Sequence, residues 1–101
     1  MALKLRLDPR AKRDLVEIRT YLLDHAGPAA ANRVREHLRV RFHRLRGNPM
    51  IGVVTAEPGI RLLAPTRYPC RIYYTATARE LVILHVRHGA RRDPDLGDLG
   101  H

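Results

Sequence analysis

The sequence predicts an α+β, two-layer domain in which an N-terminal helical hairpin packs on one face of a mainly antiparallel sheet, in the order β-α-α-β-β-β. Three observations carry this prediction. Two stretches have apolar residues at spacings of three and four, with a break of only two to three residues between them, so the two helices fold back on each other. A short alternating segment precedes them and three β-rich segments follow. The last two of those segments are joined by Ala76-Thr77-Ala78, which is long enough only for a hairpin.

Taken in order, Leu3, Leu5 and Leu7 alternate with Lys4 and Arg6, the period of a half-buried strand. Asp8 and Pro9 then start a helix, because Asp caps free amides and Pro suits the first turn. Ala11, Leu15, Ile18 and Leu22 form one apolar stripe on a helix over about 9–25. Gly27-Pro28 breaks that helix and starts the next. Val34, Leu38, Phe42 and Leu45 give the second helix its stripe, and Gly47, Asn48 and Pro49 end it near residue 46. Residues 50–58 read as a loop. Ile60–Ala64, Pro69–Thr75 and Leu81–Arg87 read as strands. From Asp93 the chain carries Pro, Gly and three Asp, so the domain is expected over 1–94 with a frayed tail at 95–101.

The chain has 101 residues, enough for one small core and not two, and 45% of them are apolar. The formal net charge is +9, with 17 Arg and only 2 Lys among the basic residues. Such a field attracts nucleic acid, an anionic membrane or an acidic protein, although an Arg-rich solvated surface would look the same. There is no Ser, which excludes a serine nucleophile, and the single Cys70 excludes an internal disulfide and a Cys-based zinc site. His85 and His88 point to opposite faces of a strand, and His37 and His43 share no helix face, so neither a metal nor a cofactor is expected. Cys70 is expected as a small buried hydrophobe. No apolar run has transmembrane length and the N-terminus has no signal-type apolar core. A cytoplasmic protein with no membrane partner is the expectation.

Strand alternation places Ile60 and Leu62, then Cys70, Ile72 and Tyr74, then Val82, Leu84 and Val86, under the helices. The other face then receives Arg61 and Leu63, Arg71 and Tyr73, and His85 and Arg87. Arginines from three strands, with Tyr73 and His85 between them, would suit phosphate or carboxylate. A one-residue slip in any strand would undo the assignment. The arginines of the second helix, Arg33, Arg35, Arg39, Arg41, Arg44 and Arg46, are spread around it rather than along one ridge. They read equally as a phosphate-tracking stripe or a solvated face.

The segments MIG at Met50–Gly52, GIRLL at Gly59–Leu63, YPCRIYYTA at Tyr68–Ala76 and ILHVRHGARRDP at Ile83–Pro94 together resemble the ParE branch of the RelE/ParE toxin superfamily. YLLDHAGPAAANRVREHL at Tyr21–Leu38 fits the same family. The resemblance covers nearly the whole chain and implies the fold read above. It implies the toxin of a type II toxin–antitoxin pair, partnered by a ParD-like ribbon-helix-helix antitoxin that binds operator DNA, so that the toxin meets DNA only indirectly. It implies DNA gyrase as target and a stoichiometric, non-enzymatic mode of action. RelE-type relatives instead cut mRNA on the ribosome, using basic residues on the sheet face and usually a C-terminal Tyr or a Glu/His pair. After Arg87 this chain has no Tyr, which argues against that alternative; an inactive antitoxin-binding module is the third possibility. Arg87, His88, Arg91 and Arg92 are the candidates for gyrase contact, because the last strand and its exit carry the most specific part of the match. Arg61, Arg71, Tyr73 and His85 are the candidates for binding antitoxin or phosphate, together with the helical hairpin as an antitoxin dock.

Overall fold

The structure is a computed structural model that describes residues 2–89. Arg91, Arg92 and the 95–101 tail lie outside the described residues. The elements are β1 (Lys4–Leu7), α1 (Pro9–His25), α2 (Pro28–Gly47), β2 (Val53–Val54), β3 (Arg61–Leu63), β4 (Cys70–Ala76) and β5 (Glu80–His88). The five strands form one sheet in the order β1-β5-β4-β3-β2. β1 runs parallel to β5, and every other neighbouring pair is antiparallel. The two-residue β2 lies inside the segment expected to be loop, where two exposed valines pair with Leu62 and Arg61.

Local chemistry explains the hairpin. Asp8 Oδ1 accepts the Arg10 amide at 2.9 Å, with Pro9 in the first turn of α1. At the other end, the amides of Ala26 and Gly27 both donate to Leu22 O, at 2.8 and 2.9 Å. Gly27 takes φ of 89°, a conformation open to glycine, and the chain turns directly into Pro28.

The helices cover one face of the sheet. Ala11, Ile18 and Leu22 of α1 and Ala31, Val34, Leu38, Phe42 and Leu45 of α2 pack on Leu63, Cys70, Ile72, Tyr74, Leu81, Ile83 and Val86. The inward positions expected on β4 hold, as does Val86 on β5, while the others depart from the expectation. Val82, Leu84, Leu62 and Ile60 were expected under the helices, and Tyr73 was expected exposed. All five instead form a second apolar cluster, in which Tyr73 is 3% exposed. Leu63 and Arg61 lie on the helix side, opposite Ile72 and Tyr74.

The cause on β5 is a bulge. Tyr73 pairs with His85 but Tyr74 pairs with Ile83, so Leu84 is the extra residue. Residues 81 and 83 face the helices before the bulge and 86 faces them after it, which defeats strict alternation. On β3 the helix side carries Arg61 beside Leu63, and because the Met50 and Gly52 carbonyls take up its guanidinium, a polar residue lies on the face that alternation marks as outward.

Tyr74 ties the sheet to the turn after α2. Its hydroxyl donates to Pro49 O at 2.7 Å and accepts the Gly52 amide at 2.9 Å. Burial is the main cause of the upward pKa shift of this phenol, opposed by the Gly52 amide and Arg61. Arg61 Nη1 secures the same turn through Gly52 O at 2.7 Å. A side chain on Gly52 would place Cβ 2.5 Å from Tyr74 Oη. Gly52→Ala should therefore lower stability by about 1–3 kcal/mol through overpacking. Tyr74→Phe should cost a similar ~1–3 kcal/mol by leaving a buried amide unpaired. Urea unfolding of each variant, with midpoints compared to the parent, checks both; an unchanged midpoint would show that this clamp is idle.

Candidate functional site

The site is built around one acid that periodicity had not marked. Asp14 lies on the buried stripe of α1 between Ala11 and Ile18, with 5% of its surface exposed. Its spacing in the stripe was a usable signal, but Leu15, which is only partly buried, had been given that place. β1 stops at Leu7, opposite Ile83, while β5 runs on to His88 with that edge unpaired by β1. Asp14 covers this edge. Its Oδ2 accepts the Val86 amide at 2.9 Å and also the His85 Nδ1–H. Its Oδ1 lies 3.9 Å from Arg87 Nη1.

This arrangement orients two of the expected residues. A carboxylate only accepts, so the proton of a neutral His85 ring sits on Nδ1 and Nε2 is left as acceptor. Arg87 Nε is buried without a hydrogen-bond partner. Across the ladder, Arg71 pairs with Arg87 and Tyr73 with His85, so the structure brings these four onto one face of β4 and β5. Two like charges directly opposite repel each other. Asp14 stands beside Arg87, and the planar guanidinium groups of this face suit an oxyanion. Arg61 is not part of this group, because it lies on the helix side with its guanidinium on the Met50 and Gly52 carbonyls. His88 also departs from it. It lies across from Cys70, and its ring stands 6.1 Å from that of Tyr21, which stacks on His25 at 4.2 Å.

A second surface lies on the helical layer. Between α1 and α2 runs a groove of about 590 Å³ with Leu15, Val16 and Phe42 in its lining and Arg19, Arg35 and Arg39 among its polar residues. Val16 is 65% exposed. Of the other arginines of α2, Arg46 is committed to the backbone, its Nε donating to Leu3 O at 2.6 Å.

Cys70 is fully buried, and burial pushes its thiol up to about 11, so it stays protonated. Among the described residues no group of three or more His, Cys, Asp or Glu is placed to hold a metal ion, and no helix is long and apolar enough to cross a membrane.

Known proteins share this architecture. The chromosomal ParDE toxin–antitoxin system of P. aeruginosa matches with a TM-score of 0.75 and 22% identity, over 86% of this chain and 96% of that one. The RelBE2 toxin–antitoxin complex of Mycobacterium tuberculosis matches with a TM-score of 0.65 and 19% identity, over 88% of this chain and 100% of that one. The intact Escherichia coli RelBE complex matches with a TM-score of 0.64 and 18% identity, over 89% and 100%. No curated protein matches the chain in sequence. The family model for the ParE toxin of the type II toxin–antitoxin system parDE matches residues 5–93, nearly the whole domain. The chain belongs to the ParE toxin family of type II toxin–antitoxin systems.

Proposed function

We propose that the chain is a stoichiometric, non-enzymatic toxin that inhibits DNA gyrase and is held inactive by a ParD-like antitoxin. The observation that carries this reading is the ParE family match over residues 5–93, extending through the end of β5 and its exit. Arg87 at the end of β5, His88 beside Tyr21, and Arg91 and Arg92 just beyond are the proposed gyrase contacts. In this reading the toxin acts in the cytoplasm.

The antitoxin is proposed to dock in the groove between α1 and α2. Its apolar floor and arginine rim suit an amphipathic helix with carboxylates along its flanks. A segment of that kind folds as it binds and buries its apolar side on Leu15, Val16 and Phe42.

A second reading has one specific observation in its favour. His85, oriented by Asp14 and flanked by Arg71 and Arg87, has the parts of a general base beside phosphate-binding cations. That arrangement would serve RNA cleavage on the ribosome.

Three outcomes test these proposals. Purified toxin, freed of antitoxin and added to gyrase, plasmid DNA and ATP, should abolish supercoiling and trap cleaved DNA. Arg87→Glu should remove the effect, and normal supercoiling at excess toxin would sink the gyrase reading. Val16→Asp changes an exposed position, so the fold should survive while antitoxin affinity, read by calorimetry, falls at least about tenfold, or ~1.4 kcal/mol. An unchanged affinity would move the dock elsewhere. His85→Gln and Arg71→Ala should leave growth inhibition intact and mRNA uncut; specific mRNA cleavage that disappears in both variants would favour the second reading instead.

A further inference from the structure

Beside the middle of α2, where β4 begins, lies a cationic cluster that neither the groove nor the β4–β5 face uses. His37 of α2 meets the Tyr68 ring edge-on, with centroids 4.8 Å apart. The Arg67 guanidinium stands over the same ring at 5.7 Å. Arg41, one turn beyond His37, acts on both His37 and the Cys70 thiol. His37 Nε2 and Arg41 Nη1 are both buried, and neither has a hydrogen-bond partner. Leaving a buried donor unmade is costly, and two such atoms on adjacent turns of one helix are unusual in a folded protein.

The charge balance points the same way. Burial lowers the pKa of His37 first, and the neighbouring cations Arg41 and Arg67 lower it further. Burial also lowers that of Arg41, with Arg44 adding to the effect and Cys70 opposing it. Glu36, next to His37 in sequence, turns away and pairs with Arg39 at 2.6 Å. The cluster thus has two unpartnered polar atoms on adjacent turns of α2, two guanidinium groups and an aromatic wall. Two donors match the two oxygens of one carboxylate. A nucleic-acid phosphate would bring sugars on both sides against Tyr68 and α2.

We propose that His37, Arg41 and Arg67 form a socket for a single carboxylate side chain of a protein partner. Identifying that partner as the antitoxin rests on the function proposed above; the socket itself does not. His37 and Arg41 lie on the flank of α2 away from the groove-lining Arg35 and Arg39, so a segment leaving the groove across α2 reaches the socket next. An anion here offsets the neighbouring cations and favours protonated His37. Binding therefore takes up a proton and tightens as pH falls.

The test uses the toxin alone and follows the His37 ring proton by NMR. The probes are a capped pentapeptide with one glutamate between alanines, its glutamine counterpart, and inorganic phosphate. The glutamate peptide should give a saturable shift, at least about tenfold tighter than either other probe and tighter at about pH 6 than at about pH 8. Arg41→Met should abolish it. Arg67→Ala, at an exposed position, should weaken it without disturbing the core, which keeps the test decisive if Arg41→Met does not fold. No saturation, or equal response to glutamine or phosphate, would overturn the socket. If the glutamate peptide saturates but no antitoxin binds, the partner's identity fails and the socket stands. If antitoxin binds and the peptide does not, the reverse holds.

Discussion

The Asp14 carboxylate is the constraint from which the rest of the architecture follows. β5 is longer than the strand beside it, and Asp14 supplies the acceptor that β1 does not reach to give. A buried amide there would otherwise go unpaired. Because the acceptor sits on α1, pairing the edge also fixes the position and roll of that helix. The position of α1 then sets the width of the groove against α2, and the same carboxylate orients His85 and steadies Arg87. One side chain therefore links the helical surface to the sheet surface. This placement has a structural reason, because an acid buried at 5% exposure persists only where its lone pairs are used.

Much of the fold was legible in local signals. Asp8-Pro9, Gly27-Pro28 and the spacing of Ala11, Ile18 and Leu22 gave both helices within a residue or two. Ala76-Thr77-Ala78 gave the hairpin of β4 and β5. The faces were less legible, for a physical reason. Alternation marks the inward side only when the outward side is polar, and here Val82, Leu84, Leu62 and Tyr73 make the outward side apolar too. The bulge at Leu84 then reverses the pattern within one strand, and nothing in LVILHVR announces it. Of the grouped residues, Arg71, Tyr73, His85 and Arg87 were foreseen together because they lie on β4 or past the bulge. Arg61 was misplaced with its strand. Asp14 and the cluster at His37 and Arg41 depend on contacts across the fold that no local window contains.

The arginine excess has a partly structural explanation. Several guanidinium groups serve as clamps on backbone carbonyls or nearby acids. Arg46 holds Leu3 O, Arg61 holds Gly52 O, Arg10 joins Asp8, and Arg6 bridges from β1 to Glu80 on β5. A planar fork of fixed donors does this better than an ammonium, which accounts for the preference over lysine. These clamps fix where some of the 17 arginines point, while the net charge of +9 is what is left after every acid has been counted. Others line the groove, as Arg19, Arg35 and Arg39 do, or stand over Tyr68, as Arg67 does.

The parallel pairing of β1 with β5 has a consequence for the order of events in the cell. Lys4 meets Glu80 and Leu7 meets Ile83, so a strand made before the helices must wait for one made after every other element described. β5 is also flanked by β1 and β4, so the sheet has no continuous middle until it is synthesised. Domains assemble on the ribosome as chain becomes available, and contacts this distant in sequence form late. Until β5 emerges the nascent chain can form its helical hairpin, but the face that carries Arg71 and Arg87 does not yet exist. The surfaces thus mature at different times: a partner that recognises the hairpin has its dock available before the completed sheet can reach a target.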